Sequence, residues 1–140
     1  MTETYETLFN FHNDDFEVYK NDNSHGTDRY YLFVEGYLAF RTLDEVVNLY
    51  NDFLKEFNSY LSRMSFEKTA KTPINSFYRT REIAVNYEHG YYEVFLDTHI
   101  THDIWDLYYY MEDVIKQLND LDNDIKSGKV TPKVEGESNE

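Results

Sequence analysis

Apolar positions recur at helical spacing in two stretches of this chain and alternate in several shorter ones. In 101–125, THDIWDLYYYMEDVIKQLNDLDNDI, the residues Ile104, Leu107, Tyr108, Met111, Val114, Ile115, Leu118 and Ile125 return every three or four positions. That spacing predicts one apolar stripe on an amphipathic helix. A second helix is predicted after Thr42-Leu43-Asp44-Glu45. This is a capping box, in which the threonine hydroxyl and the glutamate carboxylate each satisfy a free amide. Leu43, Val46, Val47, Tyr50, Phe53, Leu54, Phe57, Leu61 and Met64 then form its buried face.

The remaining segments read as strands and turns, with one exception. In 1–13, Tyr5, Leu8, Phe9 and His12 are spaced for a short helix, which we favour over the strand suggested by the alternation of Phe9 and Phe11. Phe16 to Tyr19 reads as a short strand, and 21–26 is dense in turn residues. The β-branched and aromatic run 29–40 predicts another strand, with Gly36 marking a bulge or a tight turn into a third. Thr72-Pro73 disfavours helix, so 63–81 is expected to be a loop running into a strand from about Phe77. Ile83, Val85 and Tyr87 alternate, Glu88-His89-Gly90 turns, and 91–97 returns as the partner strand. Gly128 and Pro132 stop the last helix, leaving 127–140 as a flexible tail after a single domain over 1–126.

The order strand, strand, helix thus occurs twice. An ungapped offset that sets Tyr30-Tyr31 on Tyr91-Tyr92 also sets Asp52 on Asp113, Lys55 on Lys116 and Asn58 on Asn119. The expected fold is α+β: an antiparallel sheet packed by two main amphipathic helices, with a ββα-ββα pseudo-repeat as its underlying pattern.

Charge and composition narrow the function classes. The 140 residues carry 27 acidic and 13 basic side chains, a formal net charge of −14. Phosphates and anionic membranes would be repelled, and the favoured partner is basic. An 18% aromatic share supplies a core. No cysteine is present, which excludes disulfides, thiolate metal sites and cysteine nucleophiles. No stretch reaches the ~20 apolar residues of a membrane span. The N-terminal MTETYETLFNF lacks the basic and apolar regions of a secretory signal, so a cytoplasmic location is expected.

Candidate chemistry is sparse. The five glycines form neither phosphate-binding pattern. His99 and His102 with Asp97 and Asp103 have ligand-like spacing, and the His-Asp pair is reminiscent of metal-dependent phosphohydrolases. Those are all-helical bundles with a separate upstream histidine, a layout this chain does not match. The simpler reading has Asp103 capping the helix and the histidines in a polar connection. His12-Asn13-Asp14-Asp15 and His25 read as solvated loop residues. No metal, cofactor or enzymatic activity is expected.

The back of the last helix is more informative. Asp106, Asp113 and Asp120 stand two turns apart, about 10 Å per step, with Asp124 and Tyr109 beside them. Asp44, Asp52 and Glu56 on the other helix are candidates to extend this track. Of the tyrosine triplet, Tyr108 is expected to be buried, Tyr109 to face water and Tyr110 to lie at the border. The basic, aromatic stretch 63–81 is expected to neutralise the protein's own carboxylates.

In size, charge and missing cysteine the chain resembles small acidic anti-defence proteins of phages and mobile elements. These include anti-CRISPR proteins that occupy the DNA-binding cleft of Cas9, and anti-restriction proteins. The resemblance implies an inhibitor whose carboxylates take the places of phosphates on a basic nucleic-acid-binding protein such as a defence nuclease. An immunity protein or antitoxin for a basic toxin nuclease, and a non-enzymatic phage adaptor, are the alternatives.

Overall fold

A computed structural model describes residues 4–22, 28–71 and 83–131. The chain runs β1 (Thr4–Phe11), β2 (Phe16–Asp22), β3 (Arg29–Val34), α1 (Leu43–Arg63), β4 (Ile83–Glu88), β5 (Tyr91–Leu96), β6 (His99–Thr101) and α2 (Ile104–Lys126). β1, β2, β3 and β6 form an antiparallel sheet in that order, and β4 and β5 form a separate two-stranded sheet. The α+β class is therefore correct, with both main helices packed on one face of the larger sheet.

The helix expected in 1–13 is replaced by β1. Its pairing with β2 slips between Thr7 and Phe9, so Leu8 is an extra residue in a β-bulge. The bulge breaks the two-residue alternation and leaves Tyr5 and Phe9, four apart, on opposite faces. That is why the apolar spacing imitated a helix. Phe9 and Phe11 turn inward against Phe53 and Phe57 of α1, with ring centroids 5.5 to 6.1 Å apart. Both of those α1 phenylalanines are fully buried. Truncating either to alanine would cost about 3–5 kcal/mol.

His12, Asn13 and Asp14 all take positive φ in the β1–β2 turn, and Asp15 N–H closes it on the His12 carbonyl at 3.1 Å. The β4–β5 turn is the expected one, with His89 and Gly90 both at positive φ. Gly36 lies outside any strand, so neither the bulge nor the third strand expected there forms. A short chain segment ending at Phe40 instead makes one bridge to Tyr92 of β5. Gly36 is needed because an added Cβ would sit 2.3 Å from the Phe95 ring.

Thr42 caps α1 as its sequence requires: its side chain accepts from Glu45 N–H, and Glu45 Oε1 accepts from Thr42 N–H at 3.0 Å. Asp103 caps α2 by accepting from Trp105 N–H at 3.0 Å. Gly128, at φ +82°, ends α2. The two helices run antiparallel: Trp105 at the start of α2 donates to the Phe66 carbonyl just past α1, while Lys126 at its end reaches Asp44 in the first turn of α1.

The offset seen in the sequence sets the caps Thr42 and Asp103 in register. It also brings the Phe40–Tyr92 bridge within one residue of the Thr101–Tyr30 pairing. The surrounding sheets differ, since β3 lies inside four strands and β5 pairs in a sheet of two. The strand expected from about Phe77 and most of the tail fall outside the described residues.

Candidate functional site: the acidic helical layer

The core side of α2 carries Ile104, Leu107, Met111, Val114, Ile115 and Leu118, as its periodicity requires, together with Trp105 and Tyr110. Two tyrosine assignments are reversed. Tyr110 is buried and Tyr108 only half-buried. The cause is β6, a strand the sequence did not suggest, which extends the sheet beneath the Tyr110 side of the helix. There the His99 imidazole stacks on the Tyr110 ring at 4.1 Å with 2° between planes.

The candidate carboxylates occupy the flank of α2 rather than its outermost ridge. Asp106, Asp113 and Asp124 are half-buried, and Asp120 is exposed. Asp106 Oδ2 accepts from His99 Nε2 at 3.1 Å. This bond holds the Asp106 carboxyl below the usual carboxylate range, against the opposing effect of partial burial. Asp113 accepts from Gln117 at 3.2 Å, and Asp120 pairs with Lys116 at 3.0 Å. Tyr109 does not end in water. Its hydroxyl donates to the Thr69 carbonyl at 2.7 Å.

On α1, Asp44 pairs with Lys126 at 3.2 Å, and Asp52 and Glu56 are exposed. Among the described residues, Asp52, Glu56 and Asp124 form no ion pair. A groove of about 310 Å³ between the helices shows which sides face each other. It is lined by Asn51 and Leu54 of α1 and by Glu112, Ile115, Asn119 and Asp120 of α2.

At about 100° per residue, Asp113 points roughly 160° away from Ile115, and Asp52 lies similarly far from Leu54. The carboxylates of the two helices therefore stand on opposite flanks, with the groove between them. Asp106, Asp113, Asp120 and Asp124 fall within about 40° of one another on the far flank of α2, and Asp120 also reaches the rim of the groove. Asp52 and Glu56 form the far flank of α1. The eight candidate residues do not make one track across both helices.

A buried acid was missed. Asp122 is 9% exposed and pairs with Lys126 at 2.8 Å. Lys126 thus bridges Asp122 and Asp44, and those hydrogen bonds raise its pKa. The i, i+4 spacing of Asp122 and Lys126 was the available signal.

The basic stretch behaves differently from expectation where it is described. Lys68 lies over the Trp105 ring at 5.5 Å, and Arg63 over Tyr60 at 5.8 Å. Neither forms an ion pair among the described residues; both sit on aromatic faces.

The histidines near 100 diverge. His99 turns to Asp106, and His102 Nδ1 meets the Asp28 carbonyl at 3.1 Å. Among the described residues no three acidic or imidazole side chains converge on a point where a metal would sit. No described helix is long and apolar enough to cross a membrane. No protein family, curated protein or solved structure matches the chain.

Proposed function

We propose that this chain is a non-enzymatic acidic inhibitor that docks the far flank of α2 on the basic surface of a nucleic-acid-binding protein. A defence nuclease blocked by a phage- or mobile-element-encoded protein is the setting that its charge and size fit, with the host cytoplasm as its place of action. The observation that carries this reading is the flank itself. Asp106, Asp113 and Asp124, continued by Asp120, present carboxylates along more than four helical turns in a chain of net charge −14. Spacings of about 10 Å between successive heptad positions suit Arg and Lys side chains that otherwise bind phosphates.

Such a surface raises association rate and selects basic partners, and its contribution weakens with salt. The test is a pull-down from bacterial lysate at low salt, followed by a stepped salt wash and competition with duplex DNA. Recovery of a DNA-binding protein that salt elutes and DNA displaces supports mimicry. A recovered nuclease indifferent to DNA supports the antitoxin alternative instead. Recovery unchanged by Asp106→Lys, Asp113→Lys and Asp120→Lys together sinks the reading.

A further inference from the structure

We infer that the helix-free face of the four-stranded sheet is a self-association surface, which pairs two copies of this chain into a four-layer α-β-β-α dimer. The inference does not depend on the identity of any basic partner.

The face is aromatic. Tyr5 from β1, Tyr19 from β2 and Tyr31 from β3 form one cluster: Tyr19 and Tyr31 stack at 5.0 Å with 8° between planes, and Tyr5 meets both edge-on at 5.9 and 6.0 Å. Strand alternation and the observed register put Phe33 and Ile100 on the same side. Tyr5 is 56%, Phe33 38% and Ile100 54% exposed, on the side away from both helices.

The face is also nearly uncharged. Following the register, Glu17 and Arg29 are the charged side chains among the outward positions of the described strands. This holds in a chain with 27 acidic and 13 basic residues. A basic partner would be met by one carboxylate here, and a nucleic acid by one guanidinium. Depletion of charge with enrichment of tyrosine is instead the composition of a homodimer interface core.

Glu17 and Arg29 complete the argument, because they lie at opposite ends of the face. Glu17 pairs with Phe33 in register and Arg29 with Asn21, with the Tyr19–Tyr31 pair midway. A twofold axis running across the strands at that tyrosine pair superposes each end on the other end of the second copy. Glu17 of β2 then lies over Asn21 of the second copy's β2, with that copy's Arg29 on the neighbouring strand about 5 Å to the side and within side-chain reach, twice, as an isologous interface requires. The tyrosines face their equivalents across the roughly 10 Å of aligned sheet packing.

Repulsion between two chains of net charge −14 is limited by the same geometry. The helical layers that carry the acidic flanks point outward, about 30 Å apart, against a screening length of about 8 Å at physiological salt.

The test is sedimentation equilibrium of the full chain at physiological salt, over roughly 1 to 300 μM. The expected mass is twice the 16.9 kDa of the monomer at the upper end. Phe33→Glu with Ile100→Glu should weaken association at least tenfold while far-UV circular dichroism stays unchanged. Glu17→Arg alone should weaken it, and adding Arg29→Glu should restore it, which separates a lost contact from a damaged fold. Asp52→Lys, on the far side of α1, should leave the mass unchanged. A monomer mass at every concentration overturns the inference. So does a dimer indifferent to Phe33→Glu and Ile100→Glu, or a Glu17→Arg/Arg29→Glu pair that does no better than Glu17→Arg alone.

Discussion

His99 Nε2 lies 3.1 Å from Asp106 Oδ2, joining the edge strand β6 to the first turn of the helix above it. The bond lowers the pKa of Asp106 in the folded chain relative to its unfolded value. A depressed carboxylate stabilises the fold above its unfolded pKa, near 4, and that stability is lost as pH falls through the folded value. Asp106→Asn should therefore destabilise the chain near pH 6, by about 1 kcal/mol for a partly exposed pair. The two proteins should converge as pH falls through the folded value. Urea midpoints of both, followed from about pH 6 into the acid range, give the answer, and a pH-independent difference would show that the bond contributes nothing through charge.

The two caps stand at opposite ends of the antiparallel helix pair, so their contributions should be independent. Thr42→Ala and Asp103→Ala should each cost about 1 kcal/mol. The double variant should lose the sum within about 0.5 kcal/mol. Chemical denaturation of the three variants would expose any coupling through the packed helices as a departure from that sum.

Gly36 and Phe95 are in a contact that leaves no room for a methyl group. In Gly36→Ala the new Cβ would be 2.3 Å from Phe95 Cδ1, and the ring is held edge-on by Tyr37 at 5.3 Å. We expect a loss of about 2 kcal/mol, typical of overpacking. Phe95→Leu should be less harmful in the Gly36→Ala background than in the native chain. A double-mutant cycle with no such coupling would mean that the backbone at Gly36 moves instead.

The opposite placement of the two acidic flanks makes partner binding separable. Reversing Asp106, Asp113 and Asp120 to lysine should weaken binding of a basic partner at least tenfold. Reversing Asp52 and Glu56 should change it by a few-fold at most through the general field. Binding curves at two salt concentrations check both statements, since an effect through the field alone fades with salt while a direct contact is retained.

Helices α1 and α2, their caps and the β4–β5 turn were legible because each has a strong local cause. The cause is a three- to four-residue apolar period, a side chain placed to satisfy a free amide, or residues tolerant of positive φ. β1 was misread because its bulge adds Leu8 and converts a strand alternation into helix-like spacing. β6 is three residues long, too short to show a period, and is defined by its pairing with β3 far earlier in the chain. Missing it displaced the buried sector of α2 and exchanged the roles of Tyr108 and Tyr110. The candidate acids do lie within α1 and α2, but which flank faces the neighbouring helix depends on packing. No single-helix pattern encodes that. The aromatic sheet face was hidden for the same reason: Tyr5, Tyr19 and Tyr31 come together only once the register of three strands is known.

The pairing of β3 with β6 also governs how the chain can be made. As it leaves the ribosome, β1, β2, β3 and α1 emerge well before His99–Thr101 and the helix that follows. Until then β3 has an unsatisfied edge, and the aromatic underside of α1 has no second helix beside it. At roughly 5–20 residues per second this interval lasts several seconds. The nascent first half should therefore be a substrate for chaperones and proteases, and resistance to digestion should appear abruptly once α2 has been synthesised.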